Sequence, residues 1–395
     1  MAPLSITLAI QAMIAMALLT IPAIAPRVAQ AVDVSATYLG LYIALAYVGA
    51  MTASLASGAA VGRYGSIRVS QACLLLCAAG LALSAVPGVL AIAAGALLLG
   101  LGYGPVTPAS SHLLARTTPA HRMSLVFSVK QTGVPLGGAL AGAIVPGLQS
   151  WVGWQEALLV IAAACLLCAL VAQALRAEFD ADRDAGLRLG LGNFLEPVRL
   201  VLSHPRLRML AGCSFVFSIA QLSLTTYLVT YLTDSLAYGL VAAGFVLSIS
   251  QLGAVLGRVL WGYVSDRWFG ARRMLAILAV VMALSAVATA MLHQDLPRVV
   301  VVAVLLVFGA SAVGWNGVYL AEVARQAPAG MAGMATGGTL AITFLGVVLG
   351  PPLFGAISGL SGSYRAGFAA LAVPLTLCAL ALLRKAREAA PADPA

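Results

Sequence analysis

Charge is scarce in this 395-residue chain, since only 9% of its residues are Asp, Glu, Lys or Arg. The acidic groups are the rarer ones, with 13 carboxylates against 22 basic side chains, and there are only four histidines. No catalytic constellation of Ser and His, of metal ligands or of paired carboxylates is evident in the sequence. We therefore expect no catalytic residue, no bound metal and no cofactor, and an enzyme is disfavoured.

Cysteine is also sparse and carries no evident chemistry. The six cysteines fall in apolar runs, and the pair Cys165 and Cys168 has no neighbouring histidine or basic residue to stabilise a thiolate. We interpret all six as packing residues rather than as redox or metal-binding groups.

Apolar residues are what the chain has in abundance. They make up 62% of it, against ~45 to 50% for a soluble domain, and the mean hydropathy is +1.01. These values predict an all-α integral membrane protein, because each spanning helix needs about 20 mainly apolar residues. Twelve such segments are predicted, at about residues 5–25, 38–60, 69–87, 90–115, 123–147, 154–175, 208–232, 240–264, 273–292, 299–324, 332–359 and 365–383. The first has no basic residue before its apolar run, so we expect a span rather than a cleaved signal peptide.

The basic residues between segments predict the orientation. Lys and Arg accumulate in cytoplasmic connections, and seventeen of the 22 basic groups fall in the even-numbered connections and the tail. Only Arg27, Arg298 and Arg365 fall on the other side. Both termini are therefore predicted to be cytoplasmic, in a bacterial-type inner membrane, and the excess of positive charge gives no reason to expect a nucleic-acid partner.

An internal repeat predicts two halves. KQTGVPLGGALAGAI, from Lys130 to Ile144, aligns without gaps on TFLGVVLGPPLFGAI, from Thr343 to Ile357. LLARTTPA at 113–120 likewise aligns on EVARQAPA at 322–329. The predicted domains are a six-helix bundle at 1–175, a cytoplasmic linker at 176–207 and a second six-helix bundle with a short tail at 208–395. A short amphipathic helix and a solvated loop are both compatible with the end of the linker.

The connection after the eighth segment carries a family motif. GYVSDRWFGARR, from Gly262 to Arg273, resembles the signature of the major facilitator superfamily, and GAAVGRYGSIR at 58–68 is a degraded copy with Gly62 in place of the aspartate. Together with the twelve segments and the repeat, the resemblance covers almost the whole chain. It implies two pseudo-symmetric six-helix bundles that move a substrate by alternating access.

The resemblance also implies a latch at the cytoplasmic face, in which Asp266 approaches a helix N-terminus, where the helix dipole favours an anion. Without an aspartate at position 62, the first-half latch is expected to be weak. Glu322 and Arg325 are spaced for an i,i+3 pair, and we prefer this structural role for Glu322 to a proton relay. The predicted latch residues are Arg63, Asp266, Arg267, Arg272, Arg273, Glu322 and Arg325.

Two cations stand inside predicted spans, Lys130 in the fifth and Arg258 in the eighth. A cation at the centre of a spanning helix costs ~2.5 to 3.5 kcal/mol, so such a residue usually faces a polar cavity. Each lies eight residues from a charged residue at the cytoplasmic end of its segment, which is ~12 Å along a helix. In the superfamily these two segments border the central cavity from opposite halves. The two cations are therefore predicted to bind one anionic substrate.

The run VLGRVLWGYVSDRWFG, from Val255 to Gly270, also resembles the oxalate/formate antiporters and monocarboxylate transporters. The arginine at this position in those proteins holds the carboxylate, which supports Arg258 as the anion ligand. The eleventh segment departs from the oxalate transporter, since it has threonines and Phe344 where that protein has a lysine. Oxalate itself is therefore not the expected substrate.

Other polar and aromatic residues on the cavity-forming segments are candidates for substrate contact. Trp315 and Asn316 adjoin glycines in VGWNGVYL, which suggests a locally opened helix. Helix packing is an equally compatible role for each residue taken alone. The candidates are Tyr42, Gln131, Tyr227, Gln251, Trp315, Asn316 and Tyr319. Gln11 and Gln221 are further polar residues on the cavity-forming segments.

The expected function is secondary active transport of a small organic anion, a carboxylate, as a monomer, coupled to protons or to anion exchange. The alternative is multidrug or other small-molecule efflux by proton antiport, which would call for an acidic residue in the cavity rather than two bases. A transporter-like sensor would need a soluble signalling domain, and the linker and tail are too short for one.

Overall fold

A computed structural model of the chain describes residues 2–119, 123–181, 183–184, 195–328 and 331–388. Arg122 and Arg188, two of the basic residues assigned to the cytoplasmic side, lie outside the described residues, as do Asp182 and the linker residues 185–194.

The described part of the chain up to residue 184 is helical, with short connections. Its helices are α1 (Ala2–Ala23), α2 (Ala25–Ala31), α3 (Leu39–Tyr64), α4 (Ser66–Ser84), α5 (Val89–Tyr103), α6 (Val106–Thr117), α7 (Met123–Gln131), α8 (Gly133–Val152), α9 (Trp154–Gln173) and α10 (Arg176–Phe179).

From residue 195 onwards the described residues again form helices. These are α11 (Leu195–Ser203), α12 (Pro205–Leu236), α13 (Leu240–Val264), α14 (Gly270–Met291), α15 (Arg298–Ala312), α16 (Asn316–Gln326), α17 (Ala332–Ser361) and α18 (Tyr364–Glu388). A single π-helical turn, Ser265–Phe269, joins α13 to α14.

The predicted all-α membrane fold is confirmed. Among the described residues, 10 helical stretches are long and apolar enough to cross a membrane. One of them, Leu240–Met291, contains the eighth and ninth predicted segments together. The fifth predicted segment is not among the ten and consists of two shorter helices, α7 and α8.

Two segments that the repeat relates are interrupted at the same register. The fourth breaks between α5 and α6 at Gly104 and Pro105, and the tenth breaks between α15 and α16 at residues 313–315. Pro105 has no N–H to donate to the preceding turn, which explains the first break. Irregular backbone at membrane depth is tolerated where it is buried in protein or borders a polar cavity, so both interruptions indicate positions of functional interest.

The chain forms two compact units that do not coincide with the sequence halves. The first unit contains residues 1–194 and 225–251, and within it α1 packs on α8, α3 on α5, and α4 on both α5 and α9. The second contains 195–224 and 252–395, and within it α14 packs on α18 and α15. The predicted domain limits follow the repeat rather than contacts, and they stay a prediction.

The end of the linker forms a helix, which is one of the two alternatives that the sequence left open. In α11 the side chain of Val201 is fully buried. A Cβ atom on Gly338 of α17 would collide with the Pro197 carbonyl group and with Val201, so the glycine permits the close packing of α11 on α17.

Candidate functional site

Arg258 is half-buried on α13, in the second unit. Its Nε donates a hydrogen bond of 3.3 Å to the carbonyl oxygen of Val313. Two neighbours hold α13 against α15: Gly257, which has no side chain to clash with the Ala310 carbonyl, and Trp261, whose Nε1 donates to that carbonyl over 2.7 Å. The packing of α13 on α15 therefore positions the guanidinium at the end of α15.

Val313 belongs to the interruption between α15 and α16, and its carbonyl also accepts from Asn316 Nδ2 at 3.3 Å. Asn316 Nδ2 lies 3.4 Å from the Oε1 of Gln221, which also accepts from Trp315 Nε1 at 3.0 Å. The interrupted segment thus links Arg258 to Gln221 through the backbone and two side chains. This agrees with a locally opened helix at Trp315 and Asn316.

An aromatic cluster continues this network. The Trp315 ring meets the rings of Phe217 and Tyr319 edge to face, with centroid distances of 5.5 and 5.1 Å. Trp315 and Tyr319 are each only 1% exposed. Phe217 is not among the residues predicted from the sequence, because a phenylalanine in an apolar helix carries no signal that separates a site from a core.

Lys130 is fully buried in the first unit. It lies in the last turn of α7, directly before the interruption at Thr132, and α7 packs against α1 and α6. Gln131, its neighbour, is half-buried. A lysine buried at an interrupted membrane helix is a functional candidate by default.

Three other predicted contacts lie in the first unit as well. Tyr42 is buried, and its hydroxyl donates to the Leu18 carbonyl at 3.4 Å. Gln251 is buried on α13 against Gly138 of α8. Tyr227 of α12 is fully buried, and its hydroxyl binds the chain just before and at the start of α3.

A close helix contact lies beside these residues. Gly142 of α8 and Gly244 of α13 face each other so closely that a Cβ atom on either would collide with the carbonyl oxygen of the other. One turn away, Ser248 donates from its hydroxyl to the Ala139 carbonyl over 2.7 Å. Small residues let two membrane helices approach in this way.

The predicted latch residues are placed as follows. Asp266 and Arg267 are exposed in the π-helical turn, and Arg273 is exposed in the first turns of α14. Arg272 is half-buried, and its Nε and Nη2 atoms are buried with no hydrogen-bond partner in the part of the chain that the structure describes. Glu322 pairs with Arg325 over 3.3 Å, as the spacing predicts, and accepts from Gln326 at 2.9 Å. The latch function of these residues stays a prediction.

A carboxylate that was not predicted from the sequence binds the first-half copy of the motif. Asp180, which follows α10, is 4% exposed and accepts from the backbone N–H groups of Ile67 and Arg68 at 2.8 and 3.0 Å. It caps the N-terminus of α4, where the dipole favours an anion. Gly65 makes room for it, because this residue has a φ of 93° and a Cβ there would collide with the Asp180 side chain.

Arg63, the remaining predicted latch residue, lies near the same turn. Its guanidinium is over the Tyr64 ring, 5.6 Å from the centroid. Arg116 Nη1 donates to the Phe179 carbonyl at 3.4 Å, which ties α6 to the segment that carries Asp180.

Comparisons with known proteins find relatives that align with most of the chain. The chain is 26% identical to a gentisate transporter of Corynebacterium glutamicum over 359 residues, which covers 88% of this chain and 77% of that protein. It is also 26% identical to a gallate transporter of Pseudomonas putida over an alignment of 415 positions, which covers 94% of this chain and 88% of that protein. Among solved structures, the bacterial homologue of the human lysosomal transporter Spinster, in an inward-facing and occupied conformation, shares the fold with a TM-score of 0.76 at 15% identity, covering 98% of both chains.

A family model settles the classification. The model described as Major Facilitator Superfamily matches residues 5–342, most of the chain. Membership of this family makes the protein a membrane transport protein rather than an enzyme, as the composition predicted. The chain belongs to the major facilitator superfamily.

Proposed function

We propose that this protein is a secondary transporter of a small organic anion, a hydroxylated carboxylic acid, across the inner membrane by alternating access. The observation that carries the proposal is the geometry of Arg258. Its Nε is bound to the Val313 carbonyl at an interrupted helix, which holds the guanidinium plane in one orientation. A guanidinium held in this way suits a carboxylate, which it can bind with two parallel hydrogen bonds.

The named relatives support the class of substrate. Gentisate and gallate are both hydroxylated benzoates, and each relative aligns with most of this chain. The aromatic cluster of Phe217, Trp315 and Tyr319 fits an aromatic ring, since edge-to-face contacts between rings are favourable. Residues 255–270 resemble the oxalate/formate antiporters and monocarboxylate transporters, and membership of that branch remains a prediction.

Lys130 is proposed as a second anion-binding or proton-binding group, on the grounds of its burial and of the interruption beside it. A lysine ammonium is a compact charge with three hydrogen-bond donors, so it suits either role. Coupling to protons and exchange of anions are both consistent with the proposal. We further propose a monomer with both termini in the cytoplasm.

The test is uptake of labelled hydroxybenzoates and short carboxylates into proteoliposomes. We expect uptake by the wild type and a loss of roughly 30-fold or more in Arg258→Ala, since removal of one partner of a buried charge pair costs about 2 to 5 kcal/mol. Arg258→Lys should restore it only in part. Arg365→Ala, an exposed arginine of α18, is the matched control and should transport normally.

Three outcomes decide the interpretation. Unchanged anion uptake in both Arg258→Ala and Lys130→Ala would remove the anion-ligand roles. Transport of cationic drugs without any carboxylate would favour proton-coupled efflux instead. A pH gradient that drives uptake on its own indicates proton coupling, whereas a requirement for internal anion indicates exchange.

A further inference from the structure

Two buried glutamines of the first unit each have one amide atom without a hydrogen-bond partner among the described residues. Gln11 is fully buried with its Nε2 unpaired, and Gln251 is 2% exposed with its Oε1 unpaired. Leaving a buried polar group unpaired costs about 1 to 3 kcal/mol. An unpaired group of this kind in a native protein calls for an explanation, and a ligand that completes the hydrogen bonds is one.

Gln11 is held by three helices. Its side chain packs on Gly133 of α8, where a Cβ atom would lie 2.9 Å from both the Cβ and the Cγ of Gln11. Its Oε1 accepts from the Thr107 hydroxyl of α6 at 3.4 Å. The amide is therefore oriented by α1, α6 and α8, and Nε2 is the donor that remains.

Gln251 lies on α13 and belongs to the same unit. A Cβ atom on Gly138 would collide with its Nε2, so the glycine makes room for the amide against the backbone of α8. Such a Cβ would also lie 3.1 Å from Leu19 Cδ1, which shows that α1 borders the same place. Oε1 is the acceptor that remains.

The two amides lie at different levels along one helix. Gly133 and Gly138 are five residues apart, which is ~7.5 Å along the axis of α8 and about 140° around it, so the two amides lie at separate places beside α8 and each binds its own group. Lys130 precedes Gly133 by three residues and lies near the level of Gln11. One unpaired donor and one unpaired acceptor, both neutral, match hydroxyl groups, which accept and donate hydrogen bonds without charge.

We infer that Gln11 and Gln251 form a subsite that recognises the hydroxyl groups of the transported acid. The inference rests on the proposed function and adds a specificity role to it. Gln11 donates to a substrate hydroxyl, and Gln251 accepts from another. A site built to bind a hydroxyl discriminates against the analogue that lacks it, because the amide is then left unpaired.

The experiment compares gentisate with benzoate, which lacks the hydroxyl groups. Uptake is measured for the wild type, Gln11→Leu and Gln251→Leu, with Gln11→Met and Gln251→Met as second variants that keep the side-chain length. We expect the wild type to prefer gentisate. Each variant should lose about tenfold in gentisate uptake and keep its benzoate uptake.

Gln71→Leu is the matched control. Gln71 is also a buried glutamine of the first unit, but its Nε2 donates to the Ala169 carbonyl and to Gln173 Oε1, both at 2.9 Å. Because its amide is already paired within the protein, this substitution should lower the melting temperature and leave the gentisate to benzoate ratio unchanged.

The outcomes separate the two proposals. An equal fall for both acids in the Gln11 and Gln251 variants, or an unchanged ratio, would overturn the hydroxyl subsite and would mean that the amides serve packing or bind water. A wild type that takes up neither acid nor any other carboxylate would overturn the proposed function, and this inference with it.

Discussion

The hydroxyl of Tyr227 donates to the carbonyl oxygen of Thr37 over 2.6 Å. The same hydroxyl accepts from the backbone N–H of Gly40 over 2.7 Å, so one fully buried side chain of α12 satisfies two backbone groups at the start of α3. Together with the contact of Gly142 and Gly244, it joins helices of the second sequence half to helices of the first within one compact unit.

Removal of this hydroxyl is expected to loosen the contact. In Tyr227→Phe the ring stays, but both backbone groups lose a partner, which costs about 1 to 3 kcal/mol. In a background without the six native cysteines, the alkylation rate of a cysteine introduced by Thr37→Cys should therefore rise by roughly tenfold, since 1.4 kcal/mol is a factor of ten. Tyr38→Phe, which changes a tyrosine with a 61% exposed side chain, is the control. Equal alkylation rates in Tyr227→Phe and Tyr38→Phe would show that the Tyr227 hydrogen bonds do not limit access of the reagent to residue 37.

A side chain at Gly142 is expected to prevent the close approach of α8 and α13. In Gly142→Val the new Cβ would lie 2.5 Å from the Gly244 carbonyl oxygen, a backbone atom that cannot move aside on its own. Overpacking of this kind costs about 1 to 3 kcal/mol. We expect transport to fall severalfold or more while the protein still folds. A Cβ atom on Gly147 of the same helix meets none of the described residues within 4 Å, so Gly147→Val should transport normally. Near-normal transport by Gly142→Val would contradict the role of this contact.

Loss of the carboxylate at Asp180 is expected to destabilise the first unit. Asp180→Ala leaves the N–H groups of Ile67 and Arg68 without their cap, and the loss of an N-cap costs about 1 kcal/mol. Thermal unfolding of the purified protein measures the effect. Glu178→Ala removes an exposed carboxylate two residues away and should change little. If both variants have the same melting temperature as the wild type, the cap does not stabilise the protein.

The indole N–H of Trp315 is expected to matter for substrate binding more than for folding. Trp315→Phe keeps an aromatic ring beside Phe217 and Tyr319 but removes the donor to Gln221. A lost hydrogen bond of about 1 kcal/mol should raise the KM of the transported acid severalfold with a small change in melting temperature. Trp268→Phe, at a 64% exposed tryptophan, is the control. A large fall in melting temperature with an unchanged KM would show that the network is only structural.

Much of the candidate site could be proposed from the sequence, because a buried cation or a broken helix leaves a visible signal. Lys130 and Arg258 stand out in an apolar run, and the glycines beside Trp315 mark the interruption at residues 313–315. Other members could not be found in this way. The Val313 carbonyl is a backbone atom with no sequence signal, and Asp180 sits in a polar linker where one carboxylate resembles another.

The sequence by itself determined the class of protein, the apolar character of its helices, and the repeat that places two interruptions in register. These properties follow from local composition and spacing, since a bilayer admits only segments that satisfy their own backbone. Only the tertiary structure decided which polar groups meet: Arg258 binds the Val313 carbonyl at the interruption after α15, and Asp180 binds the N-terminus of α4. It also decided that Gln11 and Gln251 lie beside glycines of α8, each with one amide atom unpaired among the described residues. Such pairings join residues that are far apart in the chain, and they depend on how closely two helices approach, which a sequence pattern does not encode.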